Sequence, residues 1–185
     1  METPSFIERV EALERELRLL RAEHAPQHRL EELPETLDAL IVLVDAERVA
    51  LPLDGVLEVI PRVALTPVPD APAHMAGYMR WRGRHAPVLD PLPLWSGRSL
   101  PLRLEDRIVV VRHREEPRGL LVQDVVGIDR FQKGEWKALG ADSGGAEFAV
   151  ALAHRPEGSV LLVSIDRLFY ASRLPSQSER EAEAP

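Results

Sequence analysis

The sequence predicts an all-β, antiparallel protein, and three observations carry that prediction. Short apolar runs, often β-branched, recur at residues 40–44, 48–53, 107–111, 119–122, 148–153 and 159–165. Turn-like pieces separate several of them, at residues 45–47, 115–118 and 155–158. No helix-length periodic segment lies between the runs, which argues against a doubly wound α/β enzyme. Several runs are apolar on both faces, as strands of a small closed barrel or a buried sheet must be. Many of the 16 prolines fall between Pro52 and Pro101, where they punctuate short strands and would break any long helix.

Ahead of the strands, residues 5–24 predict one amphipathic helix. Phe6, Val10, Leu13, Leu17 and Leu20 are spaced four, three, four and three, so they form one stripe. Ser5 and Glu8 have the capping-box spacing, and Glu11 with Arg15 and Glu14 with Arg18 are i,i+4 pairs in the favoured order. A helix of two heptads is marginal alone in water, so its stripe needs a surface. Three remain open: the protein's own body, a second copy through a short coiled coil, or a partner helix. Residues 24–36, with Pro26 and Pro34, read as a linker. The chain thus divides into a helix and linker (1–36), a β domain (37–172) and a Ser-, Glu- and Ala-rich flexible tail (173–185).

Composition narrows the function. A chain of 185 residues and 20.7 kDa, with 45% apolar and 29% charged residues, can bury a core. It contains no cysteine, which removes disulfides, Cys-zinc sites and thiol catalysis and suits a reducing compartment. The formal charge of −7 opposes nucleic-acid binding unless basic residues concentrate locally. No apolar run approaches the ~20 residues needed to cross a bilayer. A cytoplasmic protein without direct membrane insertion is expected.

Few residues suggest chemistry. Gly140-Ala141-Asp142-Ser143-Gly144-Gly145 resembles the loop of a trypsin-like serine nucleophile, with His154 downstream, but alanine replaces the glycine expected before the aspartate. No acid presents itself to orient the histidine, and a flexible glycine loop accounts for the stretch better. His24 and His28 have metal-gripping spacing, yet Pro26 between them opposes a helix there. No zinc signature or phosphate-cradling loop appears, so neither metal nor cofactor is expected. Residues 77–90 are more organised. Gly77 and Gly83 flank Arg80, Trp81 and Arg82, and Arg84 precedes an apolar strand. Arginine beside tryptophan is the pairing typical of protein-protein hot spots. A stacking and phosphate patch from the same residues is opposed by the net charge, and no nucleic-acid partner is expected.

With those residues in view, the region from about 37 to 170 resembles a CheW domain, the adaptor of bacterial chemosensory arrays. Residues 44–53 are similar to the family's opening hairpin, and Val56-Leu57-Glu58-Val59-Ile60 to its V-x-E-[VI]-I segment. Pro69, Pro72, Gly77, Arg82, Gly83, Pro87, Val88 and Asp90 follow its G-x-x-N-x-R-G-x-x-x-P-V-x-D element. Gly119 to Val122, Val125 and Ile128 follow a further strand pair, and residues 160–168 the closing strand and terminal helix. Arg80 stands where the family usually has asparagine, Gln123 where it has aspartate, and Pro91 where it has leucine. The resemblance implies two SH3-like five-stranded barrels packed side by side, with no catalytic activity. It implies a scaffold coupling a chemoreceptor's cytoplasmic tip to a CheA-type histidine kinase. By the same resemblance Val56, Glu58, Gly77, Arg82 and Gly83 fall in the receptor-contact region. There Val56 would supply apolar contact, Arg82 would hold a carboxylate, and the glycines would permit close approach. The alternative is a divergent adaptor of another signalling or assembly system, in which the seam of Phe6, Val10, Leu13, Leu17 and Leu20 dimerises or binds a non-receptor partner.

Overall fold

The computed structural model describes residues 30–101, 103–139 and 148–172. Eleven strands fall into two sheets: β1 (Thr36–Val44), β2 (Glu47–Pro52), β3 (Val56–Pro61), β4 (Met75–Trp81), β5 (Arg84–Leu89), β6 (Arg107–His113), β7 (Glu116–Val122), β8 (Asp124–Gln132), β9 (Trp136–Ala138), β10 (Ala149–Arg155) and β11 (Gly158–Val163). Among the described residues, the short helices α1 (Leu92–Ser96) and α2 (Ile165–Ser172) accompany them, and residues 30–31 are also helical. The first sheet has the order β8-β1-β2-β11-β10-β9 and the second β3-β6-β7-β5-β4. The second sheet is thus one continuous stretch, inserted between strands of the first.

Two expectations change. The first sheet carries six strands, because three residues after the turn at Lys133–Glu135 pair with β10 as β9. Nor is the pairing wholly antiparallel: β11 runs parallel to β2, and β5 parallel to β7. Adjacent hairpins give antiparallel pairs, whereas these two contacts join pieces distant in sequence, whose directions local turns do not fix. Turns tighten too. The β6–β7 connection is only Arg114 and Glu115, both with positive φ, so Glu116 to Arg118 lie in the strand. Arg155 and Gly158 belong to β10 and β11.

The apolar faces explain why the runs lack polar alternation. Ala39 and Ile41 of β1 point into a core belonging to the first sheet, while Leu40, Val42 and Val44 point into a core shared between the sheets. On β6, Ile108 and Val110 fill the second sheet's core while Val109 and Val111 join the shared one. The period of two thus holds, but both phases are buried. Helix α2 caps the shared core with Ile165, Leu168 and Phe169. Side chains of this kind each contribute about 1.5–3 kcal/mol when fully buried. Two histidines grip the ends of α2: His113 Nδ1 donates to Asp166 at 2.8 Å, and His74 Nε2 donates to the Ser172 carbonyl at 2.7 Å.

Candidate functional site

The β4–β5 hairpin turns in two residues, Arg82 (φ +46°) and Gly83 (φ +80°). Two positive φ values in succession give the turn whose twist matches the flanking strands. For Arg82 this conformation costs roughly 1–2 kcal/mol, a penalty that glycine escapes for want of a Cβ and that Asn and Asp lessen by local hydrogen bonding. The strained turn throws Arg82 back across the end of the sheet. Its guanidinium lies 4.6 Å from the Trp81 ring centre and donates to Glu58 Oε2 at 3.0 Å, while Trp81 Nε1 donates to the same oxygen at 2.9 Å. Glu58 lies on β3 and Trp81 on β4, the outermost strands of the second sheet. One carboxylate therefore joins the two edges, and the sheet curls back on itself. The pair is open to solvent, with Arg82 68% and Glu58 38% exposed, so it contributes only ~0.2–1 kcal/mol to stability. Orientation of a charged surface is its main effect.

The other three residues singled out in the sequence sit nearby with different surroundings. Val56 opens β3, is half-buried and packs against the shared core. Gly77, at φ +135°, lies against its own chain: a Cβ there would fall 2.7 Å from the Thr66 carbonyl oxygen. Thr66 and Tyr78 exchange two backbone hydrogen bonds at this point, of 2.8 and 2.9 Å. Gly83 meets nothing within 4 Å and serves the turn. The close approach at Gly77 is thus intramolecular.

Residues that the sequence reasoning passed over complete the site. Register between β3 and β6 skips Leu57, and register between β8 and β1 skips Val126, so each edge strand bulges at an apolar residue. Bulges cluster at sheet edges and beside functional sites, where they re-aim a side chain. Leu57 is 38% and Val126 47% exposed. Beside them, Val59 pairs across from buried Val109, and Ile128 across from buried Leu40. Cross-strand partners share a face. Val59 and Ile128 therefore extend the shared core beyond its cover, Ile128 with 65% of its surface in solvent. The segments 56–60 and 125–128 were visible in sequence, but only the bulges and register show which of their residues face outward.

Other polar groups serve the fold. Arg155 lies over Phe131 at 4.3 Å and donates to Glu135 at 2.5 Å and to the Arg130 carbonyl at 2.7 Å. Arg130 in turn grips Asp38 across β8 and β1 at 2.6 and 3.0 Å, which holds that carboxyl below its usual range. Asp90, at the end of β5, behaves oppositely. Burial pushes its carboxyl up, against the Leu92 N–H that it accepts at 3.0 Å, and the charge of Asp106 adds to the rise. His154 bonds Ser159 at 3.0 Å. Ser143, His24, His28, the seam of Phe6, Val10, Leu13, Leu17 and Leu20, and the tail at 173–185 lie outside the described residues. Among the described residues there is no group of three or more His, Asp or Glu side chains suited to a metal ion, and no helix is long and apolar enough to cross a membrane.

Comparison with known proteins agrees with this architecture. The CheW-like domain pattern matches residues 38–173. The structure of the scaffolding protein TtCheW from Thermoanaerobacter tengcongensis superposes with a TM-score of 0.66 at 19% identity, covering 75% of this chain and 90% of that one. Protein PilI of Pseudomonas aeruginosa is 31% identical over 80 residues, 43% of this chain and 45% of its own length. The matched stretch thus spans less than half of that curated relative. Two curled sheets, a shared core capped by a terminal helix, and a match covering most of the chain lead to one conclusion: this protein belongs to the CheW-like domain family.

Proposed function

We propose that this chain is a non-catalytic, cytoplasmic adaptor that couples a chemoreceptor's cytoplasmic tip to a CheA-type histidine kinase in a chemosensory array. In this reading each curled sheet is an SH3-like barrel, and the partner helix lies along the exposed margin of the shared core. The observation that carries it is the pair of bulged edge strands. They turn Leu57 and Val59 into solvent beside the Glu58–Arg82 pair on the second sheet, and Val126 and Ile128 into solvent on the first. Apolar anchors with an adjoining ion pair suit an amphipathic helix. Val56 underlies this margin, and Gly77 and Gly83 shape the hairpin that carries Arg82.

Co-sedimentation with a receptor fragment and the kinase tests the proposal. Ile128→Glu is expected to weaken receptor binding at least tenfold while leaving the thermal midpoint within a few degrees, since the residue is exposed. Arg82→Ala is expected to remove kinase coupling with the fold retained. Normal binding and coupling in both folded variants would end this reading. Self-association through residues 5–24 is a separate proposal: deletion of residues 1–24 should lower the solution mass if the seam dimerises, and an unchanged mass removes it.

A further inference from the structure

Register sets two hairpin turns side by side at one end of the second sheet. Trp81 pairs with Arg84 across the β4–β5 turn, and His113 with Glu116 across the β6–β7 turn. Strands β5 and β7 are parallel neighbours with Val88 opposite Gly119, so counting back along both brings Arg84 beside the Arg114-Glu115 turn. The start of β3 lies at the same end, because Val56 stands opposite Val111. Neighbouring strands are about 4.8 Å apart, and the screening length at physiological salt is about 8 Å. Charges on these turns therefore act together.

Residues 54–58, 80–85 and 112–118 build this end and carry six arginines against four carboxylates, in a chain whose formal charge is −7. Two of the arginines are taken, Arg82 by Glu58 and Arg118 by Glu116. The other four are exposed. Arg80, Arg84 and Arg114 make no side-chain hydrogen bond or ion pair among the described residues, and Arg112 reaches only the Asp54 carbonyl, at 3.5 Å. Asp54 and Glu115, the two remaining carboxylates, are exposed and in no ion pair among the described residues. The opposite end of the sheet differs. There Arg62, Arg103 and Arg107 lie among Asp90, Glu105 and Asp106, and the main chain takes up much of the polar capacity: Asp106 accepts from the Arg103 N–H at 2.7 Å, and Arg107 donates to the Glu105 and Asp106 carbonyls.

We propose that the arginine-rich end of the second sheet is an interaction surface for an acidic segment of a partner protein, whose carboxylates pair with Arg80, Arg84, Arg112 and Arg114. This goes beyond the adaptor reading and does not depend on it. Guanidinium groups are weakly hydrated and meet carboxylates through two parallel hydrogen bonds, which suits them to interfaces. Trp81, half-buried with the Arg82 guanidinium over its ring, adds the aromatic and arginine pairing of hot spots. Asp54 and Glu115 interrupt the patch, so a phosphate backbone, charged with one sign throughout, fits it poorly. A membrane fits poorly as well, because the turns Arg82-Gly83 and Arg114-Glu115 present no apolar side chain to insert. A mostly acidic peptide with an occasional basic residue answers both signs.

Titration of the full chain with a peptide of about twenty glutamates, followed through amide chemical shifts at low salt, tests the proposal. The shifts should centre on residues 80–84 and 112–116, and the dissociation constant should rise at least about tenfold in Arg80→Gln/Arg84→Gln/Arg112→Gln/Arg114→Gln. Arg80→Gln/Arg84→Gln and Arg112→Gln/Arg114→Gln should each raise it at least about threefold, and they keep the test valid should the fourfold variant fold poorly. Arg103→Gln/Lys137→Gln removes the same charge as either half from exposed positions elsewhere, and its dissociation constant should stay within about twofold of the unaltered chain. No binding, shifts centred on another surface, or an equal loss in Arg103→Gln/Lys137→Gln would overturn the proposal. Tighter binding of a thymidylate oligomer of equal length, or of vesicles containing phosphatidylserine, would assign the surface to a nucleic acid or a membrane and overturn the acidic-segment partner.

Discussion

The two sheets curl to a similar end by different means. In the first, the outermost strands β8 and β9 meet through Phe131 and Trp136, with ring centres 4.4 Å apart, and Arg155 lies over the phenyl ring. Both aromatic rings are buried, Phe131 completely. In the second, β3 and β4 meet through Glu58, Trp81 and Arg82, and the two charged side chains stand in solvent. A closure made of buried rings contributes stability and offers a partner little surface. A closure made of exposed charge contributes little stability and leaves its groups available. The difference separates a closure that holds its sheet by burial from one whose charged groups stay open to solvent.

Mutations should expose that division. The largest effect is expected from Phe131→Ala, which empties the first sheet's closure and should cost about 3–5 kcal/mol in denaturant unfolding. Gly77→Ala comes next. Its Cβ would collide with the Thr66 carbonyl oxygen in a backbone conformation that L-residues rarely adopt, so a loss of about 1–3 kcal/mol is expected from the same measurement. Asp90 and Asp38 form a smaller contrast, read by pH. Burial raises Asp90 above 3.8, so its ionised form opposes folding, increasingly as the pH rises through the raised value. Asp90→Asn should therefore raise the thermal midpoint at neutral pH, with the gain vanishing below about pH 3.8. Asp38 is lowered by Arg130, so its favourable contribution is present above 3.8 and fades as the pH falls through the lowered value, giving Asp38→Asn the opposite trend. Glu58→Gln should change stability least, by under about 1 kcal/mol. If that substitution unfolded the second sheet, the proposed division of labour between the closures would be wrong.

Much of the fold is legible in residue order. The runs at 40–44, 107–111 and 119–122 lie within β1, β6 and β7, and their lack of polar alternation signals burial on both faces. The turn at Arg82-Gly83 could be anticipated from its glycine, whereas Asp45-Ala46 and Arg114-Glu115 reach positive φ without any glycine. Their conformations are imposed by the strands they join. The site was partly legible. Glu58 and Arg82 meet as their residue types suggest, but Gly77 answers to Thr66 within the same chain. Leu57 and Val126 became visible only through register, because a bulge shifts which residue faces outward and no local composition marks it.

By itself the sequence determined the strand-rich class, the positions of most strands and the types of residue able to pair at the hairpin, because burial and turn formation act over a few neighbouring residues. Tertiary structure alone decided that β11 runs parallel to β2, that the middle of the chain forms a sheet inserted in the other, and that Val59 and Ile128 lie at the margin of a common core. Those outcomes depend on contacts between segments tens of residues apart. Their alignment is set by how two curled sheets fit together, a constraint that no short stretch of chain carries.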